Sequence, residues 1–147
     1  MIVTGVVPAR SGVTLLARIQ GNDGNLITQA SISSIAYRVA DVSNGTQGSS
    51  TALTVSASVY NTLQRNDPRW NMDSEDAPGA DGRWGFNFEA TIPRSEFPVS
   101  SLTDADTSTE DYDEPAPIQY QVDVTFTPAS GQVWTAVFRL KALPVYA

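Results

Sequence analysis

Hydrophobic and polar residues alternate most cleanly between positions 118 and 140. Ile118, Tyr120, Val122, Val124 and Phe126 are interleaved with Gln119, Gln121, Asp123, Thr125 and Thr127. Pro128-Ala129-Ser130-Gly131-Gln132 follows as a run of turn residues, and alternation resumes from Val133 to Leu140. A period of two places successive side chains on opposite faces, so the stretch predicts two half-buried antiparallel strands joined by a short hairpin loop. Positions 84–92 repeat the pattern. Trp84, Phe86, Phe88, Ala90 and Ile92 form the apolar set, with Gly85, Asn87, Glu89 and Thr91 between them and Pro93 as the stop. Phe86, Phe88, Tyr120 and Phe126 are expected in the core, and Trp84 and Trp134 in the core or packed at a sheet edge.

Weaker signals fill in the rest. Positions 2–7 are short and β-prone and end at Pro8, as an edge strand or an arm. Positions 13–20 predict a strand with Val13, Leu15, Ala17 and Ile19 on one face. Gly21-Asn22-Asp23-Gly24-Asn25 is a dense turn signal, and 26–30 either extends a hairpin or connects onward. Positions 32–41 predict a strand with Ile35, Tyr37 and Val39 in phase, and 43–50 a Gly/Ser/Asn loop. Positions 52–63 predict a strand with Leu53, Val55, Ala57 and Val59 in phase and a break near Asn61. Within 93–98, Ser95 is placed to cap a single helical turn.

The sum is about seven strands and no amphipathic helix of useful length. That pattern predicts an all-β fold, an antiparallel two-sheet β-sandwich, with a barrel as the runner-up. The 147 residues suit a single domain over 1–147. A chain of this size buries roughly 70% of its unfolded surface and needs no covalent staples. Two long acidic loops, near 65–83 and 99–117, interrupt the strands. Both exceed the length of a plain connector.

Composition narrows the chemistry. The chain has no cysteine and no histidine. Thiolate nucleophiles, Cys/His zinc sites, Ser-His-Asp triads and histidine acid–base catalysis are therefore excluded. The net charge of −7 is uneven: positions 66–114 hold 13 acidic and 3 basic residues, and the rest of the chain holds 3 acidic and 6 basic. An acidic surface does not replace the counterions of nucleic acid, so no direct nucleic-acid binding is expected. No apolar stretch approaches the length of a membrane span, and no charged segment followed by an apolar core marks a secretory signal. No membrane partner is expected.

Two acidic clusters are candidates for chemistry. Asp104, Asp106, Ser108 and Glu110 alternate as in the first half of a calcium loop. Thr109 then stands where that loop needs glycine, and Pro115 where it needs a bidentate glutamate. Asp73, Glu75, Asp76 and Asp81 could join Asp104 and Asp106 as a carboxylate pair for glycoside hydrolysis, but nothing in the sequence fixes their separation. The expectation is no catalytic residue, no resident metal and no cofactor. Asn44-Gly45-Thr46 matches a glycosylation sequon, read as coincidence in a Ser/Thr/Asn-rich chain.

Contacts with partners are the remaining possibility. Trp70 lies in the first acidic loop outside any strand pattern, where it either pins the loop to the sandwich or faces a partner. Ile2 and Val3 near one end, and Val145 and Tyr146 near the other, are apolar. Such ends act either as edge strands of their own sandwich or as strands added to a neighbour's sheet.

Positions 16–41 contain Gly24-Asn25-Leu26-Ile27-Thr28 followed by Ile35-Ala36-Tyr37-Arg38-Val39. This stretch resembles the opening of small immunoglobulin-like domains carried by bacteriophage tail, baseplate and other virion proteins. Asn61-Thr62-Leu63-Gln64, Arg69-Trp70, Phe86-Asn87-Phe88, Ile92-Pro93 and Phe126-Thr127-Pro128-Ala129-Ser130-Gly131 extend the likeness over most of the chain. The resemblance rests on turn residues and alternating apolar positions. It implies an immunoglobulin-like sandwich with a structural role in a virion, as a capsid decoration, connector or tail component. Protein partners, a homo-oligomeric or multi-copy state and location in the virion, after synthesis in the host cytoplasm, would follow. The alternative is a carbohydrate-binding or adhesive sandwich module using Trp70 and the acidic loops.

Overall fold

The computed structural model describes residues 2–7, 11–65, 67, 69, 85–98, 101–102, 118–142 and 145–146. The strands are β1 (Ile2–Val7), β2 (Val13–Ala17), β3 (Ile32–Asp41), β4 (Thr46–Gln47), β5 (Thr51–Leu53), β6 (Val59–Gln64), β7 (Phe86–Ile92), β8 (Ser101–Leu102), β9 (Ile118–Pro128), β10 (Trp134–Ala142) and β11 (Val145–Tyr146). One four-residue helical turn, α1 (Val55–Ser58), lies between β5 and β6. The larger sheet has the order β1-β10-β9-β3-β4, with β5 also on β3, and the smaller has β2-β7-β6. A two-residue pair, β11-β8, stands apart. The chain is mostly β, and the two sheets do not close into a barrel.

Alternation decides which face each strand buries. β9 pairs Val122 with Val39 on one side and Phe138 on the other, and Val124 with Tyr37 and Ala136. These rows line up because cross-strand partners share a face. The smaller sheet answers with Leu15, Ala17, Val59, Phe88, Ala90 and Ile92, so one apolar core lies between the sheets. Phe88 makes the contact between layers, with its ring 5.2 Å from that of Phe126 and edge-on to it. Each such side chain contributes about 1.5–3 kcal/mol when fully buried. In the β9–β10 turn, Gly131 adopts φ +104°, which L side chains rarely take up.

The structure departs from the sequence expectations at several places. The strand expected over 52–63 breaks at Val55–Ser58, not near Asn61. β5 pairs with β3 in one sheet and β6 pairs with β7 in the other, so α1 is the corner where the chain changes sheets. Backbone N–H groups of Ala57 and Ser58 donate to the Thr54 carbonyl, which gives the corner its own hydrogen bonds. Ser95 caps nothing, because Pro93 is the cap of the short 3₁₀ turn Arg94–Glu96. The loop at 43–50 contains β4, which folds back on Ala40 and Asp41. The sheets are also not wholly antiparallel. β1 runs parallel to β10, and β11 parallel to β8. A parallel pair needs a long connection, and nearly the whole chain separates β1 from β10.

The largest departure is in β7. Asn87, expected on the polar face, is only 1% exposed. Phe86 is fully buried, as expected, and packs edge-on to Tyr60 at 5.7 Å. The β6–β7 register shifts between Val59/Phe88 and Gln64/Phe86. Gly85 sits at the shift with φ +129°, where an added Cβ would meet Leu63 and Arg65 side-chain carbons at 3.1 Å. An irregularity of this kind re-aims side chains that strict alternation would send elsewhere.

Candidate functional site

The β2–β3 connection and the β9–β10 turn lie at the same end of the molecule. The connection is a tight excursion: Gly21 N–H donates to the Asn25 carbonyl at 2.9 Å, and Gly24 N–H to the Gly21 carbonyl at 3.0 Å. The Asp23 carboxylate accepts from Asn25 N–H at 3.0 Å and from Asn25 Nδ2 at 3.2 Å. These two bonds from Asn25 hold the Asp23 carboxyl below its ordinary pKa.

Three anchors fix this connection to the sandwich. Asn87 accepts from Ile19 N–H at 2.7 Å and donates through Nδ2 to the carbonyls of Ile19 at 3.0 Å and Ile27 at 3.2 Å. One buried amide thus serves three backbone groups, of which the Ile19 carbonyl also accepts from Ile27 N–H at 3.2 Å. Gln29 donates from its backbone to Asn61 Oδ1 at 2.8 Å and from its side chain to the Val59 carbonyl at 2.9 Å. Ala129 N–H donates to the Ser31 carbonyl at 2.9 Å, which joins the connection directly to the β9–β10 turn.

Between these walls is a cleft of about 630 Å³, bordered by Asn22, Asn25, Thr28, Pro128, Gln132 and Trp134 among others. Among the described residues no lysine or arginine lines it, and Asp23 is the one acidic residue that does. A second cavity of about 190 Å³ lies among Arg18, Gln20, Asn22 and Trp134–Ala136. Trp134 and Asn22 border both. Phe126 stacks on the Trp134 indole at a centroid distance of 4.3 Å and an interplanar angle of 19°. The ring is half-buried, locked on one side by the core and bordering the cavities with the rest.

A second polar cluster belongs to the smaller sheet. Tyr60 donates its hydroxyl to Glu89 at 2.6 Å, and Arg69 reaches Glu89 at 2.7 Å and Asp67 at 2.8 Å. The Arg69 guanidinium also lies 5.8 Å from the Phe86 ring centroid. Arg69 holds Asp67 and Glu89 below the ordinary carboxylate range, with Tyr60 adding to the effect on Glu89. The bond to Glu89 and burial raise the Tyr60 hydroxyl, and the two carboxylates, Asp67 first, raise Arg69. With Arg69 on both of its oxygens and Tyr60 on one, Glu89 acts as a fastener between the loop and the sheet.

The residues singled out from the sequence are dispersed. Ile2 and Val3 lie in β1, paired with Val137 and Phe138 of β10 on one side. Val145 and Tyr146 form β11, paired with Ser101 and Leu102. Both apolar ends therefore pair within their own chain. Trp70 and Trp84 lie outside the described residues, as do Asp73, Glu75, Asp76, Asp81 and the calcium-like run from Asp104 to Asp113. Among the described residues no group of three His, Cys, Asp or Glu is placed to hold a metal, and no helix is long and apolar enough to cross a membrane. The cleft was missed because its walls come from turns far apart in sequence, and because Trp134 reads as one more apolar position in a strand. The one local signal was the dense turn at 21–25.

No family model matches the chain, and neither a curated protein nor a solved structure is found to match it.

Proposed function

We propose that this chain is an immunoglobulin-like structural protein of a bacteriophage virion, present in many copies and acting through protein–protein contacts. The strand order supports the first half of that reading. β10-β9-β3 in one sheet and β2-β7-β6 in the other have the order of the C, F, G and B, E, D strands of an immunoglobulin sandwich, with β1 joined to β10 and not to β2. The observation that carries the second half is β1: it is paired on one side by β10 and has no strand on its other side among the described residues. An edge strand offers a row of backbone donors and acceptors to a neighbour, which is how multi-copy β assemblies join. Light scattering after size exclusion, run across concentration, is expected to give a defined ring, trimer or higher oligomer, with peptides of the chain in purified virions. A chain that stays monomeric at every concentration and is absent from virions would overturn the reading.

A second reading, a carbohydrate-binding or adhesive module, is favoured by one observation: the cleft bordered by Trp134, whose described lining residues include no cation. It predicts saturable binding on a glycan array. A flat array would dispose of it.

A further inference from the structure

We propose that the cleft between the β2–β3 connection and the β9–β10 turn binds a neutral saccharide, with a sugar ring packed beside the Trp134 indole. This rests on the second reading above and assigns it a site other than the Trp70 loop.

Size, rigidity and chemistry converge on that ligand class. The cleft's volume of about 630 Å³ falls within the roughly 300–1,000 Å³ of ordinary small-molecule sites. Its walls are held before any ligand arrives, by Asn87 from beneath, by Gln29 at the side and by the bond from Ala129 to Ser31 across the cleft. Walls fixed in advance reduce the ordering cost of binding. Trp134 is fixed too, because Phe126 stacks on it. Its indole offers an apolar surface beside a polar rim, the combination that the alternating C–H and hydroxyl surfaces of a sugar require.

The polar rim is neutral and free. The side chains of Asn22 and Gln132 are exposed and make no hydrogen bond to the described residues. Each amide carries a carbonyl that accepts from a hydroxyl and an NH₂ that donates to one. Among the described residues lining the cleft none is a lysine or arginine, and the nearest cation, Arg18, belongs to the adjoining cavity, so the cleft offers little counter-charge to a phosphate, sulfate or nucleic acid. The exposed Asp23 carboxylate at the cleft adds negative charge that opposes such anions. A neutral polyol matches what remains.

The test is a titration of the ¹⁵N-labelled protein with methyl glycosides and short oligomers of glucose, galactose and N-acetylglucosamine, following the indole N–H signals of its three tryptophans. One indole signal is expected to move saturably, and it should be the one missing from Trp134→Phe. Asn22→Ala and Gln132→Ala lie on exposed positions, so the melting temperature should hold while the dissociation constant rises about fivefold for each lost hydrogen bond. If glycans bind but neither substitution weakens them, the cleft is wrong and the carbohydrate reading stands elsewhere on the surface. If no glycoside moves any signal at millimolar concentration, both fall. If neutral peptides, and not glycosides, move the Trp134 signal, the cleft is a site but the saccharide assignment is overturned.

Discussion

β9 and β7 are both central strands, each flanked by a neighbour on either side, yet only one obeys its alternation throughout. In β9, Tyr120, Val122, Val124 and Phe126 are buried, and the residues between them are not. In β7, Phe86, Asn87 and Phe88 are buried in succession. β9 pairs with β10 over nine unbroken positions, and with β3 in steady register from Ser34 onward. β7 meets β6 across a register shift beside Gly85. A strand keeps its period when the ladders on both sides are continuous. Where one ladder slips, the released position can take up a different task, and in β7 that task is the support of a loop.

The largest expected effect tests the regular strand. Phe126 is fully buried between the Phe88 ring and the Trp134 indole. Phe126→Ala should cost about 3–5 kcal/mol, from lost transfer energy and the cavity left behind. Chemical denaturation measures it, and a loss below about 1 kcal/mol would mean that the core is not organised around this contact.

Asn87 tests the irregular one. Asn87→Ala removes the side-chain partner of Ile19 N–H and of the Ile27 carbonyl at once, while the Ile19 carbonyl keeps its bond from Ile27 N–H. Buried groups left unsatisfied cost about 1–3 kcal/mol each, moderated by any water that enters. A total near 3 kcal/mol is expected, with faster amide exchange confined to the β2–β3 connection. Exchange that rises equally across β9 would show that Asn87 serves the core and not the loop.

The same contrast explains what the sequence made legible. The β9–β10 hairpin could be drawn from the residues because its pattern is local: alternation, turn residues, alternation again. The sheet change at α1 could not, since Leu53, Val55, Ala57 and Val59 keep strand phase while the chain turns a corner. Only the competing pull of β3 on Leu53 and β7 on Val59 creates that corner. Asn87 was assigned to the outer face by its position in an alternating run, and the three backbone groups it serves lie about 60 or more residues away along the chain. Trp134 was expected in the core or packed at a sheet edge and lies half-buried against the core, but a cleft made by two distant turns leaves no mark near it in the sequence. The parallel pairing of β1 with β10 is invisible for the same reason, as no local pattern records the direction of a partner 135 residues on.

The smallest effect lies on the fastener that Tyr60, Glu89, Arg69 and Asp67 form beside the slipped ladder. Tyr60→Phe removes the 2.6 Å bond to Glu89 and should cost about 1 kcal/mol. The cluster also carries a pH signature whose sign follows from the directions of its shifts. Glu89 and Asp67 have pKa values lowered in the folded state, chiefly by Arg69. A lowered carboxylate pKa means that the unfolded chain takes up protons first. The stabilisation is complete above the ordinary carboxylate range and is lost as pH falls through the lowered folded-state values. Arg69 is about half exposed, so solvent and salt screen the pairs and the contribution is small. The expected result is a shallow acid-side slope in stability, reduced in Glu89→Gln and flattened by added salt. β9, whose buried face carries no ionised group, should show no such slope in its local exchange. If acid loosens β9 as readily as the β6–β7 region, the two strands share one cooperative unit, and the irregular strand is no softer for having given up its alternation.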